Sequence, residues 1–114
     1  FITILNNSVV DNSAQGIILD QSSPNNDLLS NIVTDNGDDG IFLQSCFNTV
    51  KGNTVSRNSG IGIHNQRGCD NEFYRNTSCN NGENTLFDNC DGLPAGQVIS
   101  PGGPAVAGGN ICCP

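Results

Sequence analysis

The chain has 114 residues, a formal charge of −7 at pH 7 and only four basic residues, Lys51, Arg57, Arg67 and Arg75. Neutralising a polyphosphate backbone or an anionic bilayer takes clustered Lys and Arg, so no nucleic-acid partner is expected and anionic membranes are poor partners. No apolar run approaches the roughly 20 residues of a helical bilayer span, and a polarity carried by Asn, Ser, Thr and Gly disfavours helix throughout.

The first predicted element is a strand in "FITIL", residues 1–5, with Ile2 and Ile4 on the same face. No amphipathic helix precedes it. A first strand left uncovered exposes unpaired backbone and invites pairing with another chain. The chain starts on Phe1 rather than Met, which predicts a processed chain or a segment of a longer one.

From Asn7 onward the sequence repeats. Asn7, Asn31, Asn53 and Asn76 are 24, 22 and 23 residues apart. Asn12, Asn36, Asn58 and Asn81 follow each of them by five residues, and Asn26, Asn48 and Asn71 precede the last three by five. Gly16-Ile17, Gly40-Ile41 and Gly62-Ile63 recur after them. Apolar positions hold fixed offsets to these marks. Ile4, Leu28, Val50 and Phe73 form one column, and Val9, Val33 and Val55 a second. Ile17, Ile41, Ile63 and Leu86 form a third, and Leu19 and Leu43 a fourth. Alternation within Gly-Ile-x-Leu is that of strand, and each segment is too short for a helix. A period near 22 residues with three short strands predicts stacked coils, since one coil cannot bury its apolar side alone. Asn tolerates left-handed backbone and carries both donor and acceptor, so the three Asn columns are expected to run as hydrogen-bonded ladders up the corners.

These motifs resemble the right-handed parallel β-helix repeat of the pectin-lyase-like superfamily. The resemblance covers residues 1 to about 90. It implies an all-β solenoid of about four coils over residues 1–91; beyond Asp91 the period is lost, and the Gly/Pro-rich residues 92–114 are expected to form an irregular cap. That superfamily includes polysaccharide lyases and hydrolases, adhesins and non-catalytic scaffolds, so the fold does not select an activity. In the fourth coil Ser78, Thr85 and Asp88 replace the expected Val, Gly and Leu, which is expected where a stack closes.

Six cysteines with a single histidine point to disulfides and an extracellular or cell-surface location. Cys46, Cys69 and Cys90 fall about one coil apart, and Cys46–Cys69 is the expected clip between neighbouring coils. Cys79 and Cys90 are then left to pair with Cys112 and Cys113 in either order, among the fifteen connectivities that six cysteines allow.

Candidate chemistry is sparse. Ile18, Phe42, His64 and Phe87 form an outward stripe, read as a contact surface. Asp35, Asp38 and Asp39 cluster in one turn, with Asp11 and Arg57 stacked against Asp35. Paired carboxylates serve glycoside hydrolysis, and such a cluster also suits calcium. However, the Asp11–Asp35–Arg57 order reads as a solvated charge column. No catalytic residue or cofactor site is assigned. Of two glycosylation sequons, the one at Asn6 is expected to be accessible and the one at Asn76 to be held in a ladder. The expected function is a non-catalytic extracellular structural protein that stacks head-to-tail on copies of itself. The alternative is a carbohydrate-binding or polysaccharide-processing module.

Overall fold

A computed structural model describes residues 1–82 and 105–113. Every regular element among them is a short strand, and the strands pair in parallel at a one-coil offset. The first coil contains β1 (Thr3–Leu5), β2 (Ser8–Val10) and β3 (Ile17–Leu19). The second contains β4 (Asp27–Leu29), β5 (Ile32–Thr34) and β6 (Ile41–Leu43). The third contains β7 (Thr49–Lys51), β8 (Thr54–Ser56) and β9 (Ile63–Asn65). A fourth begins with β10 (Asn71–Tyr74) and β11 (Thr77–Cys79). The chain then returns as β12 (Ala105–Gly108) and β13 (Ile111–Cys113).

Three sheets result, one per side of the solenoid. Sheet A runs β1-β4-β7-β10-β12, sheet B runs β2-β5-β8-β11-β13, and sheet C runs β3-β6-β9. Register confirms the columns read from sequence. Ile4, Leu28, Val50 and Phe73 are successive partners in sheet A. Val9, Val33, Val55 and Ser78 succeed one another in sheet B. Ile17, Ile41 and Ile63 do so in sheet C. Leu28, Val33, Ile41, Leu43, Val50, Val55, Ile63 and Phe73 are fully buried. This is the shared core that no single coil could close.

The corners follow a rule finer than the one read from sequence. The expectation was that the ladder Asn itself takes up the left-handed backbone. Instead the residue just before it does. Asn6, Ser30, Gly52, Arg75 and Gly109 have φ between 53° and 67° and stand before Asn7, Asn31, Asn53, Asn76 and Asn110. Asp11, Asp35, Arg57 and Asn80 stand likewise before Asn12, Asn36, Asn58 and Asn81, and Asn25, Phe47 and Asp70 before Asn26, Asn48 and Asn71. One left-handed residue turns the chain from one sheet to the next. The following Asn then aims its amide along the solenoid axis.

The sequence predicts an irregular cap over residues 92–114. Their described part is regular: β12 lies on β10 and β13 on β11, both parallel and in register. The Gly/Pro composition concealed these two strands, because its first half carries no repeat signal. Leu86, Phe87, Asp88 and Cys90 lie outside the described residues.

The glycines of the Gly-Ile pairs are fixed by packing rather than by dihedral angle. A Cβ on Gly16 would sit 2.5 Å from Val33 Cγ1 and 2.7 Å from the Gly40 carbonyl. The chain there crosses too close to the next coil for any side chain.

Candidate functional site

Three ladders of buried amides run up the corners. At the A/B corner, the backbone N–H and Nδ2 of Asn31 both donate to Asn53 Oδ1, at 2.9 and 3.0 Å. Asn53 repeats this toward Asn76, and Asn76 toward Asn110. The second Nδ2 proton of each points back to a strand carbonyl: Asn53 to Leu28, Asn76 to Val50, Asn110 to Phe73. At the B/C corner, Asn12, Asn36, Asn58 and Asn81 form the same series. At the C/A corner Asn26, Asn48 and Asn71 connect through Oδ1, braced by Ser23 and Ser45. Buried amides are tolerable only when so satisfied.

The ladder contains two members that sequence reading missed. Asn110 lies 34 residues after Asn76, which breaks the 22-residue period. The signal was nonetheless present locally. Gly109-Asn110-Ile111 repeats the order of Gly52-Asn53-Thr54: left-handed residue, ladder Asn, strand. Asn65 is the other. It occupies the Leu19–Leu43 column in place of an apolar residue and accepts from Asn71 Nδ2 at 3.0 Å.

Each ladder has a direction. Every coil's Oδ1 accepts from the coil before it. Asn7 and Asn12 in the first coil donate to Asn31 and Asn36, yet their own Oδ1 atoms meet no donor among the described residues. Asn110 has the converse position. Its Oδ1 accepts from Asn76 and one Nδ2 proton reaches Phe73. Its backbone N–H and second amide proton have no acceptor among the described residues. The first coil is also the least covered, with Phe1, Ile2, Leu5, Val10 and Ile18 between 46% and 85% exposed.

The expected clip is present. Cys46 and Cys69 form a disulfide between the second and third coils, with Cα atoms 4.5 Å apart. Cys79 is also disulfide-bonded.

The outward stripe is in register, with Ile18 beside Phe42 and Phe42 beside His64. Ile18 is open, but Phe42 and His64 are half-buried. Their rings meet edge to face at 5.1 Å, and His64 Nδ1 lies 2.8 Å from Asp39 Oδ2. Phe87, its last member, is outside the described residues.

The acidic turn is divided among separate partners. Asp35 takes a two-point contact from Arg57, 2.9 and 2.7 Å, whose hydrogen bonds hold the Asp35 carboxyl below the usual range. Asp38 accepts from Gln15, and Asp39 accepts from the Ile61 N–H as well as meeting His64. Each carboxylate is thus engaged by a separate partner, although Asp38 Oδ1 and Asp39 Oδ1 both border Gly60, 2.8 and 2.5 Å from where its Cβ would stand. Among the described residues no group of three His, Cys, Asp or Glu is placed to hold a metal, and no helix is long and apolar enough to cross a membrane. The sequon residue Asn6 is exposed, whereas Asn76 is buried in its ladder.

Parallel register, three sheets running the length of the stack and corner ladders define the class: a right-handed parallel β-helix of the pectin-lyase-like superfamily. Its residues 1–92 match the family model described as periplasmic copper-binding protein (NosD). The chain belongs to that family. Neither a curated protein nor a solved structure matches it.

The family description raises copper, and the donor set can be tested against it. Copper sites in proteins use thiolate and thioether ligands for Cu(I) and imidazole with other N and O donors for Cu(II), and no group of three His, Cys, Asp or Glu is assembled among the described residues. This chain has no Met and one His, its imidazole is engaged with Asp39, and Cys46, Cys69 and Cys79 are disulfide-bonded. The described residues do not fit a copper centre.

Proposed function

We propose that this chain is a non-catalytic β-helix scaffold outside the cytoplasm that lengthens by accepting further coils head-to-tail, from another copy of itself. The polarity of the A/B ladder carries this reading. Asn7 offers a carbonyl oxygen, and Asn110 in the same ladder offers two protons of the kind that every interior step delivers to such an oxygen. A second copy placed with its first coil on β12 and β13 extends sheets A and B, continues the ladder and covers Ile2 and Val10. Such a contact joins unlike faces and propagates as a line rather than closing. A coil of any chain with the same Asn offsets satisfies the same groups.

The non-enzymatic reading is supported by the division of Asp35, Asp38 and Asp39 among separate partners. The location is supported by the disulfides and by the word periplasmic in the family description.

Light scattering across a concentration series, with electron microscopy of the same samples, tests the stack. Mass that grows with concentration and unbranched rods are expected. Asn7→Leu, at an exposed position, is expected to shorten the rods without altering the fold. A monomer at every concentration overturns the proposal.

A further inference from the structure

The A/B corner carries a second feature, unrelated to stacking. A surface groove of about 390 Å³ runs along it, lined by Leu5, Leu29, Ser30, Lys51, Gly52 and Arg75. That size falls in the range of small-ligand sites, about 300–1,000 Å³. Its lining is sorted along the axis. Leu5, Leu29 and Lys51 are register partners on successive coils, and Ser30, Gly52 and Arg75 are successive corner residues. The first two coils therefore supply an apolar half and the next two a cationic half.

The cations are notable in a chain of charge −7. Of four basic residues, Arg57 is paired with Asp35. Lys51 and Arg75 form no ion pair among the described residues, although Asp27 and Glu72 sit on the outer face of the same sheet. The two like charges converge on one groove from adjacent coils, an arrangement that an anion between them relieves. Gly52 leaves a notch between Ser30 and Arg75. A Cβ there would have only Ser30 within 4 Å, at 3.4 Å from its Oγ. The backbone N–H groups of Ser30 and Gly52 are spent on Lys51 and Tyr74 carbonyls. Recognition thus falls to the side chains: the Arg75 fork, the Lys51 ammonium and the Ser30 hydroxyl.

We infer that this groove binds an amphiphilic anion, its oxyanion head between Lys51 and Arg75 and its apolar chain along Leu29 and Leu5. Three rung spacings of about 4.8 Å separate the Leu5 and Arg75 coils, which suits a medium-length acyl chain. This site stands independently of head-to-tail stacking.

Decanoate, decanol and inorganic phosphate are the probes, titrated by calorimetry and by methyl NMR below the micelle concentration of decanoate. Saturable decanoate binding that shifts the Leu5 and Leu29 methyls is expected, with decanol and phosphate each at least about tenfold weaker. Lys51→Gln and Arg75→Gln, both at exposed positions, are each expected to weaken decanoate about tenfold, the equivalent of one charge-assisted contact. Gly52→Asn fills the notch with a residue that accepts left-handed backbone, and is expected to weaken binding with the fold intact. Absence of decanoate binding overturns the assignment. So does equal affinity for decanol or for phosphate, or indifference to both charge substitutions.

Discussion

Asn31 places both its backbone N–H and its Nδ2 on the Oδ1 of Asn53, at 2.9 and 3.0 Å, with both side chains fully buried. Asn53 then donates back to the Leu28 carbonyl and forward to Asn76. Its amide uses two acceptor sites and two protons, the whole of its capacity. One side chain thus ties three coils together at a corner where the strand ladder is interrupted. An apolar residue could fill the space but could not satisfy the groups around it.

Asn53→Ala should therefore be costly. It leaves the Asn31 backbone N–H and one Asn31 Nδ2 proton buried without their acceptor, at about 1–3 kcal/mol for each unsatisfied group, and takes one hydrogen bond from the Leu28 carbonyl. We expect a loss of about 3 kcal/mol or more. Asn7→Ala, at the exposed end of the same ladder, should cost less than about 1 kcal/mol, since water replaces what is lost. Urea unfolding of the two variants beside the parent chain measures the difference. Equal losses would show that the ladder is not the source of stability.

Sequence made the coil visible because its period is physical. Ile17, Ile41 and Ile63 must share a layer to be buried, so their spacing equals the coil length. The Cys46–Cys69 clip was legible for the same reason. The left-handed residue was only half legible: six of the ten non-glycine residues at those corners are Asn or Asp, which favour that backbone, but Ser30, Phe47, Arg57 and Arg75 share no chemistry with them. Asn110 was lost because a 34-residue step hid it from a 22-residue search. The pairing of His64 with Asp39 was also invisible. It joins a strand to a turn of the previous coil, 25 residues away, at an offset that no repeat position marks. The groove was hidden too, since Leu5, Leu29 and Lys51 have different characters at one repeat position, and only a register table brings them together.

Gly52 tests the corner rule directly. Its φ of +67° puts it in the left-handed region, and a Cβ there would meet only Ser30, at an ordinary contact distance. Backbone conformation, rather than crowding, therefore decides what is tolerated. Gly52→Val is expected to lose about 2 kcal/mol, because left-handed backbone costs L-residues about 1–2 kcal/mol and branching at Cβ adds to it. Gly52→Asn is expected to be near neutral. Thermal unfolding of both variants checks the order; a valine variant as stable as the asparagine one contradicts the rule.

The Asp35–Arg57 pair sets an acid-side prediction. Hydrogen bonding from Arg57 lowers the Asp35 pKa in the folded chain. A lowered folded value means that the pair's contribution is complete above the unfolded Asp pKa of about 3.9. It is lost as pH falls from there through the depressed folded value. Asp35→Asn should thus change stability only slightly near neutrality, as expected for an exposed pair, and should flatten the decline below about pH 4. Urea midpoints at neutral pH and across the acid range read this out. An undiminished acid slope in the variant assigns the decline to other carboxylates.

The Cys46–Cys69 bridge closes a loop of one coil, with a sequence separation of 23. Chain-entropy reasoning gives about 3 kcal/mol for a loop of this size. The native contacts that it spans do not depend on it: β4 and β7 pair through Leu28 and Val50, β6 and β9 through Ile41 and Ile63, and Asn48 and Asn71 hold the adjacent corner. Cys46→Ser/Cys69→Ser is therefore expected to keep its strand spectrum and its coil register while its unfolding midpoint falls by the equivalent of about 3 kcal/mol. Circular dichroism during urea unfolding, with amide exchange at Val50 and Ile63, separates the two effects. Retained protection at those amides with a lowered midpoint is the expected result. Loss of protection there in the absence of denaturant would mean that the clip, rather than the stacked core, keeps the second and third coils together.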